Sequence, residues 1–313
     1  MDVTVSIIIV TYNCRNDIVD CLQSVIDQTS AVAYEVIVLD NASSDGTAAV
    51  VASRFPQVRL IENRGNVGFG KGNNIAAAAA KGQFLLLLNP DTVIRSNAID
   101  RLADFAARFP EAGAWGGICE LPDGRVDPGC RQQIPSIRQR LKLCVVAGAR
   151  LDRNIDRSPS FSGKVPVLSG AFMMLPRSVW HRLGGFDETF KLYSEETDLC
   201  FRIHQMGRDI MLTGQVRILH NTGSGNPYAP ARAINLTRGI MQFFRKHRSV
   251  PTAFCAGILI WVHGLSRLIG AAVFPRRTGN ATAASIKRRS LAVIRRPSRW
   301  WRGWEGQSIA RSR

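Results

Sequence analysis

The stretch that most constrains the fold is Phe84-Leu85-Leu86-Leu87-Leu88, closed by Asn89-Pro90-Asp91. A strand with one face in water alternates apolar and polar residues. This one does not, so it reads as a strand buried on both faces of a parallel sheet covered by helices. Pro90 ends it, and Asp91 emerges at the carboxyl end of the strand, the edge where open α/β sheets bind ligands. A carboxylate there either opens the next turn or holds a divalent cation against a diphosphate.

The surrounding chain repeats the pattern. Val5 to Val10 is a β-branched buried strand that delivers Thr11-Tyr12-Asn13 at its end. Asn16 or Asp17 is expected to cap a helix through Gln28, and a strand from Tyr34 to Leu39 ends in Asp40-Asn41-Ala42-Ser43-Ser44-Asp45-Gly46-Thr47. The strand–helix–strand order implies right-handed parallel crossovers. A short strand, Val58 to Glu62, precedes the Gly/Asn loop from Asn63 to Asn74, with a helix expected over Ile75–Lys81. Such a loop lets backbone N–H groups approach a ligand closely, but it is neither a Walker A loop nor a dinucleotide fingerprint. Ser96 or Asn97 is expected to cap a helix through Phe109, with Pro110 as its stop.

Farther on, Ala114 to Cys119 reads as a strand, residues 120–164 as mostly loop with a basic helix over Ile137–Val146, and Val165 to Met174 as a strand. Residues 178–183 form a short helix. Tyr193-Ser194-Glu195-Glu196-Thr197-Asp198 reads as a helix start with Ser194 as N-cap, the acids complementing the dipole unless they do chemistry. Ile210 to Leu219 is a last strand ending in His220-Asn221.

Forty-one Lys and Arg against 24 Asp and Glu leave a net charge of +17. Eleven of those cations fall between Arg276 and Arg313 beside one acid, Glu305, so the excess is a property of the tail. No nucleic-acid recognition module is visible. Ala253 to Phe274 is long enough to span a bilayer, but His263 and Arg267 interrupt it, which favours an in-plane or re-entrant segment over a spanning helix, a core helix packed on the domain being the alternative. The cations interleaved with Trp300, Trp301 and Trp304 have the composition of an interfacial anchor on anionic lipid. Seven scattered cysteines without CxxC pairs fit reduced thiols, and the N-terminus lacks a signal-peptide pattern, so a cytoplasmic setting is expected.

Thr11, Asn13, Asp40, the Gly/Asn loop and Asp91 all fall at strand ends of one βαβ array. Thr11-Tyr12-Asn13, Asp40 to Thr47, Asn66-Val67-Gly68-Phe69-Gly70-Lys71-Gly72-Asn73-Asn74 and Asn89-Pro90-Asp91 resemble the nucleotide-sugar half of family 2 GT-A glycosyltransferases. Gly170-Ala171-Phe172, Gly185-Phe186-Asp187-Glu188 and Ser194 to Cys200 resemble its acceptor half. The Asn-Pro-Asp form and the Gly-Phe-Gly loop lean toward the rhamnosyltransferase-like subgroup.

That resemblance implies a GT-A (Rossmann-like) α/β fold, a mostly parallel sheet flanked by helices, with a C-terminal helical membrane-associating extension. Residues 1–118 would form the nucleotide-sugar half, 119–225 the acceptor half and 226–313 the tail. Thr11, Asn13, Asp40, Asn66, Gly68, Asn73 and Asp91 would bind the nucleotide-sugar. Asp91 and His220 would ligate Mg²⁺ or Mn²⁺, Asn89 standing where the family has a further Asp. Glu196, with Glu195 as the rival, would be the catalytic base of an inverting transfer. The expected donor is dTDP-rhamnose and the acceptor a polyprenyl-linked saccharide, at the cytoplasmic face of an anionic membrane in cell-envelope polysaccharide synthesis. The alternatives are a UDP-sugar-dependent transferase of the same fold and a non-catalytic nucleotide-sugar-binding membrane adaptor.

Overall fold

The computed structural model describes residues 3–127, 129–145, 160–221, 229–273 and 283–305. They form two compact units: Met1–Gln132, Asn154–Asp187 and Glu196–Thr222 make the first, and Gln133–Arg153, Glu188–Glu195 and Gly223–Arg313 the second.

The first unit is built on a nine-stranded sheet. Strands β1 (Val5–Thr11), β2 (Tyr34–Asp40), β3 (Arg59–Glu62) and β4 (Phe84–Leu88) run parallel in the order β3-β2-β1-β4. Beyond β4 lie, in order, β10 (Phe172–Pro176), β6 (Ala114–Glu120), β11 (Ile210–His220) and β5 (Thr92–Ile94), with β8 (Ser162–Lys164) also on β11. Only β10, β5 and β8 oppose the common direction, so the sheet is mixed but mostly parallel. Val5, Ile7, Ile8, Ile9, Leu85, Leu86 and Leu87 are wholly buried, as unbroken apolar runs require. Two short strands, β7 (Arg131–Gln132) and β9 (Val167–Leu168), pair outside this sheet. The expected strand from Val165 to Met174 is thus divided between β9 and β10.

The helices of this unit are α1 (Arg15–Gln28), α2 (Thr47–Arg54), α3 (Phe69–Ala78), α4 (Ala98–Arg108), α6 (Arg177–Leu183) and α7 (Glu195–Gln205), the last beginning at the unit boundary. Several starts differ from the local signals. The first position of α1 falls at Arg15, ahead of Asn16 and Asp17. Its amide donates to Asp45 Oδ2 at 3.0 Å, and the Cys14 amide to Thr47 Oγ1 at 3.1 Å, so the cap comes from the next βα loop. At α4, Asn97 occupies the cap position in left-handed backbone without a side-chain capping bond. Helix α3 starts six residues before the expected Ile75, because Gly72 lets it lie against Val10 of β1 and that packing overrides weak helix propensity.

Gly117 permits another close approach. A Cβ there would stand 2.6 Å from the Val216 carbonyl oxygen, where β11 shifts register against β6. Gly117→Ala is expected to destabilise the protein by about 1–3 kcal/mol, read as a lower urea midpoint at unchanged slope.

The second unit contains α5 (Ile137–Val145), α8 (Pro230–His247), α9 (Val250–Val273) and α10 (Ala283–Arg295), followed by a 3-10 turn at Pro297–Arg299. Its core includes Ala233, Met241, Ile260, Val293 and Trp300. This corrects the expectation of a lipid anchor for two of the three tail tryptophans, Trp300 and Trp304. Trp300 is fully buried and donates Nε1–H to the Val293 carbonyl at 2.8 Å. Trp304 is also buried, beneath the Arg238 guanidinium. Composition singled out the aromatics correctly as a cluster, but a helical bundle needs large apolar groups inside, and two of the three serve there.

Candidate nucleotide-sugar site

The parallel strands set Thr11 beside Asp40 in register at their carboxyl ends. Thr11 Oγ1 donates to Asp40 Oδ1 at 2.9 Å, and Ser43 gives its amide to Oδ2 at 2.8 Å and its hydroxyl to Oδ1 at 2.6 Å. Asn13, in left-handed backbone with φ 52°, accepts the Ser44 amide on Oδ1 at 2.8 Å and donates its own amide to Ser43 Oγ. Thr11, Asn13 and Asp40 are therefore one network that shapes the loop after β2. Asp40 is buried within it, its carboxylate already engaged by chain donors.

Asn41, to which sequence reasoning gave no role, fastens the next loop. Its Nδ2 donates to the Gly68 carbonyl at 3.2 Å and its Oδ1 accepts from Asn63 Nδ2 at 3.1 Å. Asn66 Oδ1 accepts the Gly68 amide at 2.9 Å. Gly68, at φ 90° and ψ 174°, is in a region only glycine enters at low cost, and it turns the loop into α3. Asn66 is exposed on this loop, whereas Asn73 is buried in α3 with its amide on the Phe69 carbonyl.

Asp91 and His220 come together although 129 positions separate them in the chain: β4 and β11 both end at this edge, and Asp91 Oδ1 lies 3.3 Å from His220 Nε2. The Asn89 side-chain amide is 3.3 Å from the same ring nitrogen. On the other side, His220 Nδ1 lies 2.8 Å from Oδ2 of Asp127, whose Oδ1 accepts the Gly129 amide at 2.8 Å. Burial alone would lower the His220 pKa. The hydrogen bonds and charges of Asp127 and Asp91 outweigh it and hold the imidazole up at about 9. A carboxylate behind a histidine fixes the ring and its tautomer, an arrangement common around metal-bound imidazoles. Among the described residues, no group of three or more His, Cys, Asp and Glu is arranged to hold a metal ion. With its Nε2 proton lost, His220 would join Asp91 as a pair of ligands that could hold a divalent cation.

Glu196, in the first turn of α7, is half-buried, and Gln132 of β7 donates Nε2–H to its Oε1 at 3.1 Å. Desolvation raises its pKa above the ordinary carboxylate range despite that bond. Glu195 is buried. Ser194 stands ahead of the helix as expected, but with φ 73°, after Tyr193 at φ 68°, instead of the extended backbone usual for an N-cap. Asp198 is fully buried and pairs with Arg202 at 2.7 Å, while Arg202 also donates to the carbonyls of Leu183 and Gly185. That fork ties α7 to the Gly184-Gly185 turn. Asp127 and Gln132, the partners of His220 and Glu196, both lie in the stretch that reads as loop; single polar residues there carry no periodic or motif signal.

Residues 6–184 match the family described as Glycosyl transferase family 2. The chain is 31% identical over 214 residues to the N-acetylglucosaminyl-diphospho-decaprenol L-rhamnosyltransferase of Mycobacterium tuberculosis strain H37Rv, spanning 63% of this chain and 69% of that one. Among solved structures, it is similar in fold to a mannosyltransferase from Pyrobaculum calidifontis in complex with GDP-Man and Mn²⁺, with a TM-score of 0.57 at 19% identity over 96% of this chain and 84% of that one. It is similar also to S. aureus TarS in complex with UDP, with a TM-score of 0.54 at 15% identity over 99% and 95%. With the matched region covering more than half its length and the mostly parallel sheet carrying the expected strand-end residues, this chain belongs to glycosyl transferase family 2 as a rhamnosyltransferase-like member with a GT-A-like fold.

Proposed function

We propose that the protein transfers rhamnose from dTDP-rhamnose to a polyprenyl-diphosphate-linked saccharide with inversion at the anomeric carbon. The observation that carries the site assignment is the meeting of Asp91 and His220, backed by Asp127, at the carboxyl edge of the parallel strands. The sugar and the lipid-linked acceptor rest on similarity to the mycobacterial rhamnosyltransferase, and the dTDP carrier on the motif resemblance to the rhamnosyltransferase-like subgroup.

In this reading the Thr11–Asn13–Asp40 network and the Asn63–Gly68 loop receive the nucleotide, with Asn73 holding the start of α3 in place. Asp91 and His220 would hold a divalent cation, the imidazole as its neutral form. When bound, that cation offsets charge building on the leaving diphosphate. Glu196 takes the proton of an acceptor hydroxyl as its oxygen attacks the anomeric carbon, and the nucleoside diphosphate leaves from the opposite face. A raised pKa suits a carboxylate to that role near neutral pH, and Gln132 aims it. The buried Glu195 supports the helix start.

We read the second unit as the membrane-associating part. Helix α9 is long and apolar enough to cross a membrane, by length and composition. We read it as lying in the plane, because Val250, Phe254, Ile258, Trp261, Ile269 and Val273 are exposed along it. His263 turns inward to the Leu143 carbonyl. Exposed Arg288, Arg295, Arg296, Arg299 and Arg302 add charge suited to the anionic cytoplasmic surface.

Asp127→Asn should weaken Mn²⁺ affinity by about 10- to 100-fold, because His220 loses the group that orients it; a Mn²⁺ titration by electron paramagnetic resonance measures this. The function itself is tested by supplying dTDP-rhamnose or UDP-sugars with a GlcNAc-diphospho-polyprenol and determining the product's anomeric configuration by NMR. Product from dTDP-rhamnose with inverted configuration supports the proposal. Retention of configuration overturns the mechanism, and transfer from a UDP-sugar alone overturns the donor.

A further inference from the structure

Asn74 lies in the second turn of α3, the helix that follows the Gly/Asn loop, and its carboxamide engages one distant residue in both directions. Its Nδ2 donates to the Phe186 carbonyl and its Oδ1 accepts the Phe186 amide, each at 2.9 Å, across 112 positions of chain. A carboxamide offers a donor and an acceptor side by side, so it pairs with both backbone groups of one residue as a neighbouring strand would. The Phe186 ring is buried, its centroid 5.2 Å from that of Trp180 and 5.8 Å from that of Phe69. Phe69 opens α3, so one helix grips Phe186 by its ring and by its backbone. Gly185 is fitted to this grip: its backbone is left-handed at φ 70°, and a Cβ there would collide with Asn74 Oδ1.

The other side of the same turn is held from α7. Arg202 donates Nη1–H to the Leu183 carbonyl and Nη2–H to the Gly185 carbonyl, both at 2.8 Å, while its Nε–H bonds Oδ2 of the buried Asp198 at 2.7 Å. Charge-assisted bonds of this kind are among the stronger ones, and breaking them beside buried groups leaves donors and acceptors unpaired. Arg202 and Asp198 share α7 with Glu196, which stands in its first turn. The segment Leu183–Phe186 is thus a strut. One side of its backbone is bonded to the helix that follows the nucleotide loop, and the other to the helix that carries the proposed base.

We infer that Asn74 is a positioning residue for the transfer: through the Leu183–Phe186 strut and Arg202 it sets where Glu196 stands relative to a donor seated at the Gly/Asn loop. The inference rests on the base assignment proposed above. Asn74 acts through the strut and has no contact with the reacting atoms. A misplacement of about 1 Å caused by a change far from the chemistry can cost about 10²-fold in rate, so losing this strut acts on turnover and spares donor affinity.

The test is a double-mutant cycle of Asn74→Ala and Glu196→Gln in the full-length protein. Turnover is measured at saturating dTDP-rhamnose and GlcNAc-diphospho-polyprenol, donor affinity by calorimetry, and release of the strut by hydrogen exchange at the Phe186 amide. Asn74→Ala should lower turnover by about 10- to 100-fold, speed exchange at Phe186 and leave donor affinity unchanged. In the Glu196→Gln background the same substitution should change turnover by less than about twofold, because the base that the strut places is gone. Asn74→Asp keeps an acceptor for the Phe186 amide and loses the donor to its carbonyl, so its turnover should fall between wild type and Asn74→Ala; the cycle is run with this variant if Asn74→Ala does not fold. A loss as large in Glu196→Gln as in the wild type would show a role in folding alone and overturn the inference. So would unchanged turnover in a folded Asn74→Ala whose Phe186 amide has been released. Failure of the base assignment has a different signature, wild-type turnover in Glu196→Gln itself, and that result would remove the strut's target along with the base.

Discussion

Glu196→Gln is expected to lower turnover by about 10²- to 10⁴-fold, the usual contribution of a positioned general base, while leaving the affinity for dTDP-rhamnose unchanged. The amide preserves the shape of the side chain and cannot take a proton. The wild-type pH profile should carry the same information. Only the ionised carboxylate acts, and desolvation raises its pKa, so the rate should fall with decreasing pH at values above the ordinary carboxylate range. In the variant that acid limb should vanish from whatever activity remains. A Glu195→Gln variant that lost turnover to this degree, beside a nearly normal Glu196→Gln, would transfer the role to Glu195.

The second large effect is structural. Trp300→Ala should destabilise the second unit by about 3–5 kcal/mol, because it removes a fully buried side chain that packs with Met241, Ile260 and Val293. Thermal unfolding followed by intrinsic fluorescence and circular dichroism reads it directly. An interfacial anchor would behave otherwise: its loss would reduce sedimentation with anionic vesicles and leave the melting temperature in their absence untouched. Exposed Phe254 is the corresponding position for the membrane effect, and Phe254→Ser should reduce vesicle binding with little change in stability.

These two cases show where the sequence was readable. Unbroken runs such as Ile7-Ile8-Ile9 and Leu85-Leu86-Leu87 leave a chain little choice but a two-faced buried strand, so the sheet and the residues at its ends could be placed from them. Thr11, Asp40, Asp91 and His220 follow because strand direction alone puts them on one edge. Helix boundaries were harder, since tertiary contacts set them: Asp45 and Thr47 supply the start of α1 across a loop, and Gly72 allows α3 to begin early. Asp127 and Gln132 were invisible because their roles come from a fold that brings a loop back to β11 and α7. The tail tryptophans were seen as a group, but which face of a bundle each occupies is decided by helix packing that composition does not encode.

The most direct test of the central claim, that the strand edge around Asp91 and His220 is a metal-assisted nucleotide-sugar site, is calorimetric binding of dTDP-rhamnose with and without Mn²⁺. Wild type and Asp91→Ala are compared, with the melting temperature of each as a control for folding. The account predicts that Mn²⁺ strengthens donor binding to the wild type and that the gain disappears in folded Asp91→Ala. Donor binding that ignores Mn²⁺, or a Mn²⁺ gain that survives in Asp91→Ala, would contradict it.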